Sequence, residues 1–289
     1  MISKSYYCLV SGLPDLIIGD NKLPVTTSEI RDLLSEELSW SDFDLVKLLL
    51  LPFDHTNILN SLYNSEDIKY NSGGNIPEEI IEKLTDKKEL ELGVDFEIPE
   101  YILKCIRKIV FSENEVNEVS AELMFANEYY NVLNQSSNKF IRSYGNFDQQ
   151  IRNITAALNG RKFSVNIDDQ LIGSDDITEA LKKNRSNDFG LSVDVEIMDK
   201  LLQIYEISDI LEREIRLDKM KWAFIDEKIF FEYFSIDRIL AFVIKLMIVE
   251  RWFALDVERG RELFKKMLHE LESGYEFPEE YKLNYGKKK

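Results

Sequence analysis

Apolar side chains recur every three or four residues along most of this chain, with polar side chains between them. That spacing belongs to helices that bury one face. "SDFDLVKLLLLP" opens on Ser41-x-x-Asp44, a capping pattern, and predicts a helix that stops before Pro52. "DHTNILNSLYN" predicts the next helix, with Ile58, Leu59 and Leu62 on one side. "NIPEEIIEKL" and "PEYILKCIRKIVF" each set a proline near a helix start and acidic residues in the first turn. In the second of them Ile102, Ile106 and Ile109 share a side. Longer helices are predicted from Glu115 to Asn134 and from Asn138 to Asn159. From Asp194 to Glu272 the pattern gives four long helices, with short breaks near Asp218, Ser235 and Asp256.

Strand signals are few. "SYYCLV" (5–10) and "RKFSVNI" (161–167) are the candidates, and "GLPD" (12–15) reads as a turn. Loops are expected at 19–26, at 65–76 with Gly73-Gly74, at 84–98 and at 184–193. None has the length of a linker between independent domains. The expected fold is mainly α, a multi-helix bundle array forming one body over residues 1–289, with at most a few short strands.

The most apolar stretch, "SIDRILAFVIKLMIVERWFALD" (235–256), raises the question of a membrane span. Lys245 interrupts it, and Arg238, Glu250 and Arg251 close its ends. A span needs about 20 predominantly apolar residues. A charge at the bilayer centre costs at least ~2.5 kcal/mol. The stretch therefore reads as a core helix, with Ser235 as its N-cap and Asp237 at the positive end of the dipole.

Charge narrows the partners. The chain has 289 residues and a formal net charge of −17. That balance opposes nucleic acid and anionic lipid, so neither nucleic-acid binding nor direct membrane insertion is expected. The charge is uneven: residues 78–128 carry 14 acidic and 6 basic side chains. Residues 138–163 carry Lys139, Arg142, Arg152, Arg161 and Lys162 against Asp148 alone. Cys8 and Cys105 have apolar neighbours and give no disulfide framework, which suits a reducing cytosol. The start "MISKSYYCLVSGLPD" has too short an apolar stretch for a signal peptide.

Candidate chemistry is sparse. His55 and His269 are the two histidines, and each reads as a surface or cap residue. No metal-ligand spacing is present, so no metal and no cofactor are expected. "NSGGN" (71–75) lacks the lysine end of a phosphate loop. "DFGL" (188–191) stands without the other kinase motifs, so Gly190 is read as ending a turn and Phe189 as anchoring it. The aromatic stripe Trp222, Phe230, Phe231, Tyr233 and Phe234 has two readings, an interface or core packing, of which core packing is the plainer.

An internal echo remains. "FDHTNILNSLYN" from Phe53 and "FDQQIRNITAALN" from Phe147 share Phe-Asp and then Asn-Ile, and imply a period near 95 residues. Three copies would divide the chain at 1–95, 96–193 and 194–289.

From "KSYYCLVSGLPDL" to "DKMKWAFIDEKIFFEYFSIDRILAFVIKLMIVERW", the chain resembles an uncharacterised bacterial family of unknown function. The genes of that family lie among those of V/A-type ATPases. More remotely, "FSIDRILAFVIKLMIVERW" is similar to the last segment of the C-type subunit family of V/A-type ATPases. Leu240-Ala241-Phe242, Lys245, Glu250 and Arg251 fill that pattern. Asp54, Asn57, Asn153 and Arg161 match its repeated aspartate–asparagine–leucine helices. The resemblance implies three related helical bundles and no catalytic residues. It implies a socket between the central axle and the membrane rotor ring, so the partners would be other ATPase subunits. The location would be cytoplasmic, at the inner face of the cell membrane through protein contacts. An assembly or regulatory factor for the same ATPase is the alternative, and an enzyme of unrecognised class a remote one.

Overall fold

The computed structural model describes residues 5–18, 23–64 and 68–254. The short helices near the start are α1 (Tyr7–Gly12) and α2 (Thr27–Glu37), followed by the long α3 (Trp40–Tyr63). Then come α4 (Glu78–Thr85), α5 (Lys87–Leu92), α6 (Glu100–Val110) and α7 (Glu118–Asn134). The second half holds α8 (Lys139–Phe163), α9 (Asp176–Lys183), α10 (Met198–Tyr205) and α11 (Ile210–Lys228). A twelfth helix, α12, occupies 236–254. Among the described residues there is no strand, and the mainly α fold stands. Asp256, His269 and the end of the predicted fourth helix lie outside the described residues.

Caps set many of these boundaries. Thr26 and Glu29 close a capping box on α2, and the side chains of Asn117, Asn138, Asp175 and Asp209 cap α7, α8, α9 and α11. Pro77 and Pro99 immediately precede α4 and α6, as their positions predict.

Several local expectations are overturned. Pro52 does not stop a helix: α3 runs through it. The missing N–H forfeits one backbone bond, but Leu49, Leu50 and Leu51 before it and Ile58 and Leu59 after it are buried in one core. Their burial outweighs that loss. Ser41 lies within α3, and Ser39 at the N-cap turns its hydroxyl to Asp42. Asp218 breaks nothing and sits buried in the middle of α11. Residues 7–10 are helical, and 161–163 finish α8. The 84–98 loop contains α5, capped by Asp86. Ser235 does stand before α12, but its buried hydroxyl has no hydrogen-bond partner among the described residues.

Two cores form. The larger joins α2–α7 and α12 to the start of α8, through residues such as Leu34, Ile58, Ile102, Phe125, Ile141 and Leu240. The smaller joins the rest of α8 to α9, α10 and α11 through Phe147, Ile154, Leu181, Met198 and Leu217. With 25 residues, α8 is about 37 Å long and spans both. It lies close against α7 because residue 145 is glycine; a Cβ there would stand 2.7 Å from Leu133 Cβ.

No described helix is long and apolar enough to cross a membrane. In α12, Ile239, Leu240, Ala241, Val243, Ile244 and Leu246 are buried. Lys245 ends on Asp226 and over the Trp222 ring, its Nζ 4.6 Å from the ring centroid.

Candidate functional site

The residues singled out by sequence fall into two groups. The first anchors loops. Asn57, 2% exposed in α3, accepts from Asn71 N–H at 2.7 Å and donates to Asn71 C=O at 3.0 Å. Asn153, 3% exposed in α8, accepts from Ile172 N–H at 2.9 Å and donates to Ile172 C=O at 2.8 Å. Each buried amide pairs both backbone groups of one residue, in the loop between a long helix and the short helix that follows. The asparagine side chain presents one acceptor and a donor side by side, which is what a single residue's N–H and C=O require. The two anchors stand 96 positions apart.

Neighbours reinforce each loop. Asp54 accepts from Asn75 N–H (2.8 Å), Ile76 N–H (2.9 Å) and Asn75 Nδ2 (2.8 Å). Gly74 lets this loop come close, since a Cβ there would meet Asp54 Oδ1 at 2.5 Å. Arg31 donates to the carbonyls of Ser72 and Gly74. In the second loop, Gln149 Nε2 also donates to Ile172 C=O at 3.0 Å, and Gly173 N–H donates to Asn127 Oδ1 at 2.8 Å. Beyond α9, in a further loop, Arg161 donates to the carbonyls of Asn184 (2.6 Å) and Ser186 (2.5 Å) and lies 3.5 Å over the Phe189 ring. Phe189 is buried, and Gly190 takes a positive φ of 71°, so "DFGL" forms the expected turn.

The second group ties α12 to its neighbours. Glu250 accepts from the Thr27 hydroxyl and lies 3.4 Å from Thr27 N, at the positive end of α2. Arg251 donates to Asp218, whose carboxylate also accepts from Trp252 Nε1 at 2.6 Å. Glu250 and Arg251 border a cavity of about 1110 Å³ between α3, α7, α8, α11 and α12. Asp148 and Lys221 face it too, joined at 2.6 Å across α8 and α11, with Tyr130 O–H donating to Asp148 at 2.5 Å. Burial pushes the Asp148 carboxyl up, but the Lys221 charge and the bonds from Lys221 and Tyr130 outweigh it and hold the group below its ordinary value. Burial works against the Lys221 ammonium in turn, and Asp148 raises it.

Nothing in the sequence signals that Asp148, Lys221 and Asp218 meet here, because charged residues are frequent and their partners lie on other helices. Each carboxylate in this group is already engaged by a cation or by N–H and O–H donors. The arrangement locks helices together; among the described residues, no group of three His, Cys, Asp or Glu side chains is placed to hold a metal ion.

His55 is not at the surface. It is buried, its Nε2 2.7 Å from Tyr101 O–H, with the Phe125 and Tyr129 rings within 6 Å. Burial drives its pKa down from 6.5 to about 3, so it is neutral. Its neighbour Asp54 moves oppositely, from 3.8 to about 6, because burial opposes its charge more than its donors favour it. A histidine with a lowered folded pKa loses stabilisation as pH falls below 6.5. A carboxylate with a raised folded pKa gains it as pH falls from 6 toward 3.8. Between pH 7 and pH 4.5 the histidine's loss amounts to about 3 kcal/mol. His55→Gln keeps a partner for Tyr101 and removes only the histidine's response. Relative to the parent, the variant should gain about 3 kcal/mol over that interval. Urea unfolding at both pH values reads this, and parallel pH profiles would refute a neutral buried His55.

Cys105 is buried and Cys8 exposed, both as free thiols; burial pushes the Cys105 thiol up to about 11.

Fold and site together define a mainly α protein of long helices, buried amide anchors and interhelical ion pairs. The chain belongs to a family of proteins of unknown function, DUF2764, which matches residues 3–275. No curated protein and no solved structure matches it.

Proposed function

We propose that this chain is a non-catalytic peripheral component of a bacterial V/A-type ATPase, a C-type socket that couples the central axle to the membrane rotor ring. The observation that carries the reading is the paired amide anchor at Asn57 and Asn153, the same two-bond device 96 positions apart. It supports a chain built by repetition, as the resemblance to the C-type family implies. The helices support the same reading. The long second helices of three hairpins, α3, α8 and α12, begin at 40, 139 and 236, so two nearly equal intervals separate them. A coupling element needs stiffness, and the Asp148–Lys221 and Asp218–Arg251 pairs join α8, α11 and α12 around the cavity. In this reading the chain binds no cofactor and reaches the cytoplasmic face of the membrane through other subunits.

The test is a pull-down of tagged protein from native membranes in mild detergent, with the co-purifying chains quantified. Recovery of the catalytic subunits and ring protein in near-equal stoichiometry is expected. Substoichiometric recovery that disappears from the finished enzyme would move the assignment to an assembly factor. Recovery of no ATPase chain would overturn both.

A further inference from the structure

Three turns meet at one end of the body: α2–α3, α7–α8 and α11–α12. Tyr6 N–H donates to Phe234 C=O at 2.7 Å, and Tyr6 O–H to Asp42 at 2.5 Å. Asn138 Nδ2 donates to Asp237 at 2.7 Å. These bonds tie the turns together, with α1 packed beside them through Tyr7 and Phe234, whose rings lie 4.4 Å apart.

This end is aromatic and exposed. Trp40 is 92% exposed, Phe230 69%, Phe231 80% and Tyr233 67%. The core-packing expectation for the stripe at 230–233 is therefore wrong: the helix ends before these residues, and its turn carries them away from both cores. Phe230 and Phe231 hold each other edge to face at 4.8 Å. Exposed aromatics gathered at one end of a protein in this way mark interaction surfaces.

The same end is acidic. Glu36, Glu37, Asp42, Glu227, Glu232 and Asp237 stand at these turns against Lys139, Arg142, Lys228 and Arg238; Glu227 and Lys228 pair with each other, and the acidic excess remains. Burial together with the charges of Glu232 and Asp42 raises the Asp237 carboxyl. Such a surface repels anionic lipid and repels a second copy of itself. It is complementary to a partner carrying Lys or Arg beside apolar side chains.

We infer that this acidic aromatic end is a docking surface for a basic, apolar segment of another protein. Its chemistry is the same whether or not the partner belongs to an ATPase. The test places the photo-crosslinker p-benzoylphenylalanine at Phe231 in the full chain, in its native cells, with Val193 (95% exposed) as the control position. Crosslinked peptides are then sequenced by mass spectrometry. The expected result is a crosslink from position 231, and not from 193, into a segment rich in Lys or Arg and apolar residues. Adding Glu232→Lys should reduce its yield about tenfold, as reversal of one charge in an oriented contact does. Crosslinks to lipid, to a second copy or to an acidic segment would overturn the inference. So would identical products from 193, or no product from 231. None of these outcomes depends on the ATPase pull-down, so the two readings can fail separately.

Discussion

Arg251→Met should destabilise the protein by about 3–5 kcal/mol, the cost of leaving a buried charge without its counter-ion. The Asp218 side chain is 4% exposed and has Arg251 and Trp252 Nε1 as donors. Arg251 itself is 48% exposed, so water hydrates its guanidinium when Asp218 is removed. The two single variants should therefore differ. Asp218→Ala orphans only Trp252 Nε1 and should cost less, about 2–3 kcal/mol. The double variant should unfold at a denaturant concentration no lower than Arg251→Met alone, because the stranded carboxylate has gone. Urea unfolding of the four proteins gives the coupling directly. Equal losses for the two single variants, adding in the double, would mean that the pair does not lock α11 to α12.

The second large effect concerns the amide anchors, and again an asymmetry is expected. Asn153→Ala removes the partner of Ile172 N–H and leaves Ile172 C=O with Gln149 Nε2 as its remaining donor, in a residue that is 1% exposed. An unsatisfied buried N–H costs about 1–3 kcal/mol, so a loss of about 2 kcal/mol is expected. Asn57→Ala releases the backbone of Asn71, which is exposed and can turn to water. Asp54 and Arg31 continue to hold that loop, so the loss should stay near 1 kcal/mol. Asp at either position should not restore stability, since a carboxylate cannot donate to the loop carbonyl. Amide exchange at Ile172 and Gly173 should quicken in Asn153→Ala before global unfolding, which separates anchoring of the loop from general packing. Equal losses at the two positions would contradict the difference in burial.

How far the site was legible follows from the same residues. The echo between the Phe53 and Phe147 segments was visible, but its spacing slipped when aligned on the phenylalanines. The geometry explains the slip. Phe147 stacks on Phe224 at 3.8 Å, and Asp148 pairs with Lys221. Asp54, by contrast, holds the start of α4. The Phe-Asp pairs do different work, and the equivalent positions are Asn57 and Asn153. A side chain that bonds to a loop 14 or 19 residues onward leaves no periodic trace in the sequence.

What the sequence by itself determined is whatever neighbouring residues settle among themselves. The helical period set the fold class, because one apolar face recurring at 3.6 residues has to be buried. Pro77, Pro99 and Asn138 set helix starts, because their effects act within one turn. Lys245 and the length of its apolar run excluded a membrane span. Only the tertiary structure decided matters that depend on what covers a face. Pro52 stays inside α3 because the residues on both sides of it share one core. His55 is buried because Tyr101, Phe125 and Tyr129, from two other helices, close over it. Asp218 reads as a cap by its chemistry, but α12 brings Arg251 and Trp252 to it in the middle of a helix. The aromatics at 230–233 read as core by composition, yet three turns leave them facing solvent. Periodicity specifies that a face is apolar or polar; the partner that meets it comes from a distant part of the chain, and packing alone selects it.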